Sequence, residues 1–542
     1  MNRLSFLRRL SLGAAVLAFS NVFQACVNQA ARLFSFKRTD GNAKAGHLVR
    51  EPLPDNTPIS RTEHCDVLII GGGISGLAAG YFLTKKGAKN IKLIELDAEI
   101  GGNAKNGENK YSKYPYGAHY LPIPNATNTD LIQFLYENKI ITGFNAENIP
   151  IYNEFDLCHD PKERLLTHKY WQEGLIPIPK MPEDKADFDR FFHLINELKN
   201  LKDDADNFVF ELPLAKSKLT ARCREWDTYS FAHFLQKETL NSPSLLWYLN
   251  YCCRDDYGQT IDQISAFAGL FYFAVRRGKG ANCEENAVLT WPEGNAHLVE
   301  LLAKDYKNAI FTQQVVRKIN ADDTNTITTV FDIKSNTHYQ IIAKKIILSV
   351  PFAVRKKIFP IEINTPLILE HQPWLVATLT LRYFDTTFDK NGYPLSWDNV
   401  FMEGETLGLV FAQHQNLQTP VENFVFTLYK PLGNASTKTP AEIRQLYYQK
   451  TDLDLQHEII SDLTAIYPTI KQELIAIDCK ILGHGMVSPS INFLLNRHKK
   501  NLSLPYKNKV FFAHTDYSGI SLFEEAFWQG LEAANAILHD NL

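Results

Sequence analysis

The 542-residue chain has no stretch dominated by proline, glycine, serine or one charge, and no internal period. That excludes a disordered chain, a collagen-like rod and a solenoid repeat. Lysine and arginine (57) nearly balance aspartate and glutamate (60), for a net charge of −3. The cationic excess that drives nucleic-acid binding is therefore missing. Cysteine is sparse, eight residues with no CxxC pair, too few for a disulfide-built scaffold. There is no HExxH and no paired Cys/His spacing, so no metal site is expected. A P-loop and a GxSxG nucleophile elbow are absent too. What the chain does have is 45% hydrophobic and 12% aromatic residues, enough to build about three or four domain-sized units around large cores.

Residues 1–26 carry Arg3, Arg8 and Arg9 and no acid, followed by the apolar stretch Leu10 to Phe19 and by Phe23-Gln24-Ala25-Cys26. This is the layout of an export signal. The apolar run is shorter than the about 20 residues that a membrane span requires. Arg8-Arg9-Leu10-Ser11-Leu12 resembles a twin-arginine signal, with Ser11 where an aromatic often stands, so Sec export is the other route. Ala25-Cys26 resembles the end of a lipoprotein cleavage box, which makes Cys26 the candidate lipid anchor. The expected location is the periplasm, or a tether on the outer side of a bacterial inner membrane. Residues 27–61, with Pro52, Pro54 and Pro58, read as a linker.

The folded part opens with the apolar, β-branched Cys65-Asp66-Val67-Leu68-Ile69-Ile70, then Gly71-Gly72-Gly73-Ile74-Ser75-Gly76, then the helical Leu77 to Leu83. Strand, glycine turn and helix in this order bind a pyrophosphate: Gly71 and Gly73 allow the tight turn and close backbone approach, and Gly76 lets helix and strand pack. The N–H groups at Ile74 and Ser75 open the helix toward the anion. A second strand, Ile91 to Ile94, ends in Glu95, placed to accept both hydroxyls of an adenosine ribose. Its charge would repel a 2′-phosphate, which leaves FAD and NAD.

Further along, Gly101-Gly102-Asn103 forms a second glycine pair. Mid-chain, Trp291-Pro292-Glu293-Gly294-Asn295 precedes a helix, then Val315-Val316-Arg317 and the strand Lys345 to Val350. The C-terminus holds Phe511-Phe512-Ala513-His514-Thr515-Asp516-Tyr517, then Leu522-Phe523-Glu524-Glu525-Ala526. Together these blocks resemble the FAD-dependent amine-oxidase and phytoene-desaturase superfamily, which includes protoporphyrinogen-oxidase-like proteins. The resemblance implies an α/β fold, a doubly wound FAD-binding Rossmann-like domain interleaved with an α+β substrate domain. It assigns 62–124, 288–358 and 480–542 to the FAD domain, and 125–287 with 359–479 to the substrate domain. By the same resemblance, Asp516 holds the ribityl-pyrophosphate region, the backbone of Val316 faces the adenine, and Glu524, Glu525 and Ala526 open the helix that approaches the flavin.

The resemblance implies a flavin that does the chemistry while the protein orients substrate. His119, Tyr517 and Glu524 are the candidate catalytic groups, and Asp255 and Asp256 either bind a cationic substrate or cap a junction between two buried helices. Three positions depart from amine oxidases: Asn103 stands where an arginine is usual, Trp374 to Leu381 carries no lysine, and Leu522 replaces an aromatic wall. The expected function is hydride transfer from a small organic substrate, an amine first, to FAD, with oxygen or a membrane carrier as electron acceptor. The alternatives are a desaturase or isomerase of a larger apolar molecule, a non-catalytic flavin-binding assembly protein, and an NAD-dependent dehydrogenase.

Overall fold

A computed structural model describes residues 34–39, 43–167, 170–361, 367–384, 393–417, 421–433 and 438–539. Residues 1–26, expected to be an export signal, and with them Cys26, lie outside the described residues.

The nucleotide-type sheet is drawn from three distant parts of the chain: β1 (Ile59–Ile70), β2 (Ile91–Ile94), β3 (Gln314–Ala321), β4 (Thr326–Asp332), β5 (Thr337–Leu348) and β6 (Val510–Phe512). A short strand, Ile310–Phe311, borders β2, and the order runs from it through β2, β1, β5 and β4 to β3, with β6 beside the end of β5. β1 pairs in parallel with β2 and β5, and β5 with β6. The β3–β4–β5 ribbon is antiparallel. Val67 to Ile70 are at most 3% exposed because both faces of β1 are covered. Val67 and Ile69 join the core under α1 (Ile74–Lys85) and α2 (Phe523–His539), while Leu68 and Ile70 join the core on the opposite face. Small residues bring the two helices together: a Cβ on Gly530 of α2 would lie 2.2 Å from the Ser75 carbonyl oxygen of α1.

The second sheet has eight strands, in the order Ser35–Arg38, Leu474–Val487, His371–Leu381, Phe424–Pro431, Gly408–Phe411, Asp398–Phe401, Glu163–Thr167 and Tyr170–Glu173. Every residue of His371–Leu381 is buried, because the strand is covered on both faces. Leu375, Ala377 and Leu379 pack with the helices Pro440–Gln449 and Asp452–Thr464. Trp374 and Val376 face the helices Pro243–Tyr257 and Ala266–Ala274. Those two helices begin at Ser242 and Ser265, whose hydroxyls accept from the third helical N–H. The cavities described below lie on this side of the sheet.

The linker reading is corrected in part. Ser35–Arg38 is an edge strand, parallel to Leu474–Val487 from Ser35 opposite Ala476 to Arg38 opposite Cys479. Ala43–His47 and Leu48–Arg50 are helical turns, and β1 already starts at Ile59. Phe34 and Phe36, spaced by two, pack on the core beneath the second sheet; that spacing was the overlooked signal. Among the described residues no helix is long and apolar enough to cross a membrane.

Candidate functional site

Three glycines at the end of β1 do different work. Gly71 has φ +103°, and a Cβ there would lie 2.1 Å from the Ser349 oxygen. A Cβ on Gly76 would lie 2.0 Å from the Gly71 oxygen, so α1 leaves the strand at the closest possible distance. At Gly73, the N-cap of α1, a Cβ would meet nothing within 4 Å. No side chain caps this helix and no acid occupies its first turn. Open space thus faces the N–H groups of a helix start, around Ile74 and the buried Ser75. The second pair, Gly101 (φ +118°) and Gly102 (φ +58°), lies over the first: Gly101 N–H donates to the Gly72 oxygen at 2.7 Å.

Glu95 accepts from Gly72 N–H at 2.6 Å and from Asp97 N–H at 2.9 Å. Burial raises its pKa, against the pull of Lys105. Gln314 N–H donates to the Glu95 backbone carbonyl at 2.8 Å, which sets β3 beside this residue, and the β3 register slips between Val316 and Lys318. An uncapped helix start, a carboxylate one strand away and a bulged strand beyond fit the pyrophosphate, ribose and adenine of a dinucleotide.

From this cradle a cleft continues between Asn103, His119, Trp374, Leu522 and Glu524. The Asn103 amide donates to the Gly485 carbonyl across it. His119 stacks on Tyr429, ring centres 4.8 Å apart, and burial lowers its pKa to about 4. Glu524, first-turn residue of α2, accepts from Arg276 at 2.5 Å.

Three expected site residues are buried and do not line the cleft. Tyr517 is buried beside Phe512 and Arg355, whose guanidinium donates to its hydroxyl at 3.2 Å, and it does not reach the cleft. Asp516 has no exposed surface: the short helical turn Thr515–Tyr517 points it inward, where it accepts from Phe352 N–H at 2.7 Å and meets His371 at 2.7 Å. Burial would raise its pKa, but the two flanking histidines, His514 first, hold it far below the carboxylate range. Glu525 is buried and accepts from Leu214 N–H. Asp516 is thus tied to Phe352 and His371 and Glu525 to Leu214, and Ala526 continues the first turn of α2.

Beyond the cleft lies a cavity of about 650 Å³. His119, Tyr120, Asp255, Asp256, Arg276 and Tyr429 border both spaces. Asp255 and Asp256 end the helix Pro243–Tyr257, closed by Gly258 at φ 67°, and face the cavities rather than capping a helix junction. Farther out stand Glu163, Tyr251, Tyr272, Trp397 and Asp398. Burial, then Asp256 and Glu163, pushes Asp255 up to about 8. Asp256 rises to about 6 through burial, moderated by Arg276. Asp398 lies well above the carboxylate range, through burial and then Glu163 and Asp255. Glu163, Arg276 and Tyr429 carried no local sequence signal; sheet pairing and helix packing bring them here.

The two-domain fold and its dinucleotide cradle are shared with solved amine oxidases. Residues 69–137 match the model of the NAD(P)-binding Rossmann-like domain. Among solved structures, putrescine oxidase bound to putrescine superposes with a TM-score of 0.61 at 16% identity, covering 88% of this chain and 100% of that one. Cyclohexylamine oxidase from Brevibacterium oxydans gives 0.58 at 16% identity over 88% and 99%. Human amine oxidase [flavin-containing] B is 25% identical over 179 residues, 32% of this chain and 29% of that protein. The chain matches its curated relatives over about a third of their length at most.

Proposed function

We propose that the protein is an FAD-dependent oxidoreductase that oxidises a cationic amine. One observation carries this: an aromatic-walled cavity lined with enclosed carboxylates opens into the cleft beside the dinucleotide cradle, at Asp255 and Asp256. The glycine turns, the α1 N-terminus and Glu95 would hold the ADP part of FAD, and the cleft would hold the rest. Bound FAD supplies the acceptor for a hydride from the carbon bearing nitrogen. The chain supplies binding and proton control. Asp255 and Asp256 draw the ammonium to the junction of the two spaces, and an Asp255 oxygen takes its proton, because only a neutral amine can release hydride from the neighbouring carbon. Loss of hydride leaves an iminium, which water hydrolyses. Arg276, tied to Glu524, keeps positive charge at the inner end and discourages a second ammonium there. Oxygen or a membrane carrier takes the electrons onward.

The purified protein should hold near one FAD per chain, and amines should bleach it anaerobically while alcohols and polyenes do not. Bleaching by a polyene or fatty acid alone would favour a desaturase or isomerase. Retained flavin that no donor bleaches would favour an assembly protein, and a colourless protein that binds NAD a dehydrogenase. We further propose export through the 1–26 signal, with Cys26 lipidated. Cys26→Ser should then move the protein from the membrane to the soluble fraction; continued membrane association overturns the lipid anchor.

A further inference from the structure

The chain that precedes β1 returns to the adenosine end of the cradle. Ala45 is buried, and a Cβ on Gly46 would touch the Leu96 side chain at 3.4 Å, one residue past Glu95. Val49 packs on the core that holds Ile94, Val316 and Phe352. The turn Leu48–Arg50 lies against β3 and the helix Phe352–Ile358. Arg317 is the extra residue of the β3 bulge, between Val316 and Lys318, and its guanidinium donates to the Glu51 carbonyl at 3.3 Å. The bulge beside the adenine position thus also ties down this segment. Upstream, Ser35–Arg38 is paired with the sheet of the other domain, so the chain before β1 touches both domains.

Arg50 ends the turn, exposed, and makes no hydrogen bond or ion pair among the described residues. It stands within electrostatic reach of Arg444 and His484. Arg444 donates to the Gly483 carbonyl at 3.0 Å, and two residues on the Gly485 carbonyl accepts from Asn103, the neighbour of Gly102. A Cβ on Gly102 would lie 3.3 Å from the Gly73 Cα, at the uncapped start of α1. Two guanidiniums that repel each other, on the stretch of chain that leads to this helix start, leave positive charge that an entering phosphate would balance.

On the reading of the cradle as an FAD site, we propose that residues 45–51 form a further wall of that site, closing on the adenosine half, with Arg50 and Arg444 paired to the pyrophosphate. Gly46 and Val49 seat the wall against Leu96 and β3, and Arg317 keeps it there through the Glu51 carbonyl. One guanidinium comes from each domain, so bound cofactor draws the two domains together. Arg50 and Arg444 are cofactor-binding residues and take no part in the chemistry at the flavin ring.

The test loads the full chain with FAD, in wild type, Arg50→Gln and Arg444→Gln, and follows free-flavin fluorescence as cofactor is lost. Each substitution should speed FAD loss about tenfold and weaken binding of ADP alone to the apoprotein by a similar factor. Binding of riboflavin, which carries no phosphate, should stay within about twofold. Rising salt should speed FAD loss from wild type more than from either variant. Without cofactor, Arg50→Gln removes a repulsion, so its Tm should hold or rise, whereas its Tm with FAD should fall below that of wild type. Amide hydrogen exchange across 45–51 should slow when wild type takes up FAD. Equal FAD loss from wild type and both variants, or exchange over 45–51 that FAD leaves unchanged, overturns the wall and leaves the FAD site intact. An equal loss of riboflavin binding overturns the pairing with phosphate. A wild type that neither retains nor takes up FAD overturns the FAD reading itself. Should a variant fail to fold, the exchange measurement on wild type decides alone.

Discussion

An alanine at Gly71 would carry its Cβ to 2.1 Å from the Ser349 oxygen at a φ of +103°, and one at Gly76 would meet the Gly71 oxygen at 2.0 Å. Either should cost on the order of 1–3 kcal/mol or more, seen as a fall in Tm, and yield protein without flavin. Gly73→Ala faces open space, so its Tm without cofactor should stay within a degree or two while flavin retention drops, because the methyl enters the ligand's volume. A second residue-scale prediction concerns His119. Burial holds its folded pKa at about 4, below the unfolded value of about 6.5, so the unfolded chain binds the extra proton between those values. Stability from the neutral ring is complete above about pH 6.5 and falls as pH drops toward 4. His119→Gln should flatten the Tm profile in that window. Such glycines are legible in a sequence because backbone sterics leave few substitutes at each position. Tyr517 was misread because proximity to a motif says nothing of direction: a helical turn swings it onto Arg355, away from the cleft.

At the scale of elements, α1 and α2 touch through backbone. Gly530→Val would force a side chain against the Ser75 oxygen and the Ala78 methyl, both within 2.8 Å of a mere Cβ. It should spread the helices, lower Tm by several degrees and weaken flavin binding, as thermal melts with and without added FAD would register. The edge strand Ser35–Arg38 makes a second prediction. A protein starting at residue 62 leaves the edge of Leu474–Val487 unpaired, and should melt lower and aggregate more readily than one starting at residue 34. Strand, glycine turn and helix over 65–83 could be read in sequence since the contacts that define them are local. The eight-stranded sheet could not, because pairs such as Ser35 with Ala476 and Glu163 with Asp398 join distant stretches and its strand His371–Leu381, buried on both faces, shows no alternation.

Across the whole molecule, the cavity's charge state couples pH to ligand. With Asp255 near 8 and Asp256 near 6, these acids hold protons that an entering ammonium must displace. Amine affinity should therefore rise from pH 6 to pH 9, as a falling KM, and Asp255→Asn should remove most of that slope. The sign for the empty protein is opposite. Folded pKa values raised above the unfolded ones add stability that is full below about pH 4 and lost as pH climbs through about 8, so amine should protect most against heat at alkaline pH. None of this was visible from Asp255 and Asp256 alone. Their partners Glu163 and Asp398 come from separate stretches and meet only through the parallel pairing of two strands.

The interleaving of the cofactor domain also sets a schedule. Among the described residues β6 and α2 follow every other element in the chain, yet β6 completes the edge of β5 and α2 covers the face on which α1 lies. Until residue 539 or so is made, every glycine of the cradle is present and nothing can hold it shut. A message cut short before the codon for Val510 would thus direct synthesis of a chain with both glycine turns and no means to close them, and cells should degrade that product rather than accumulate it.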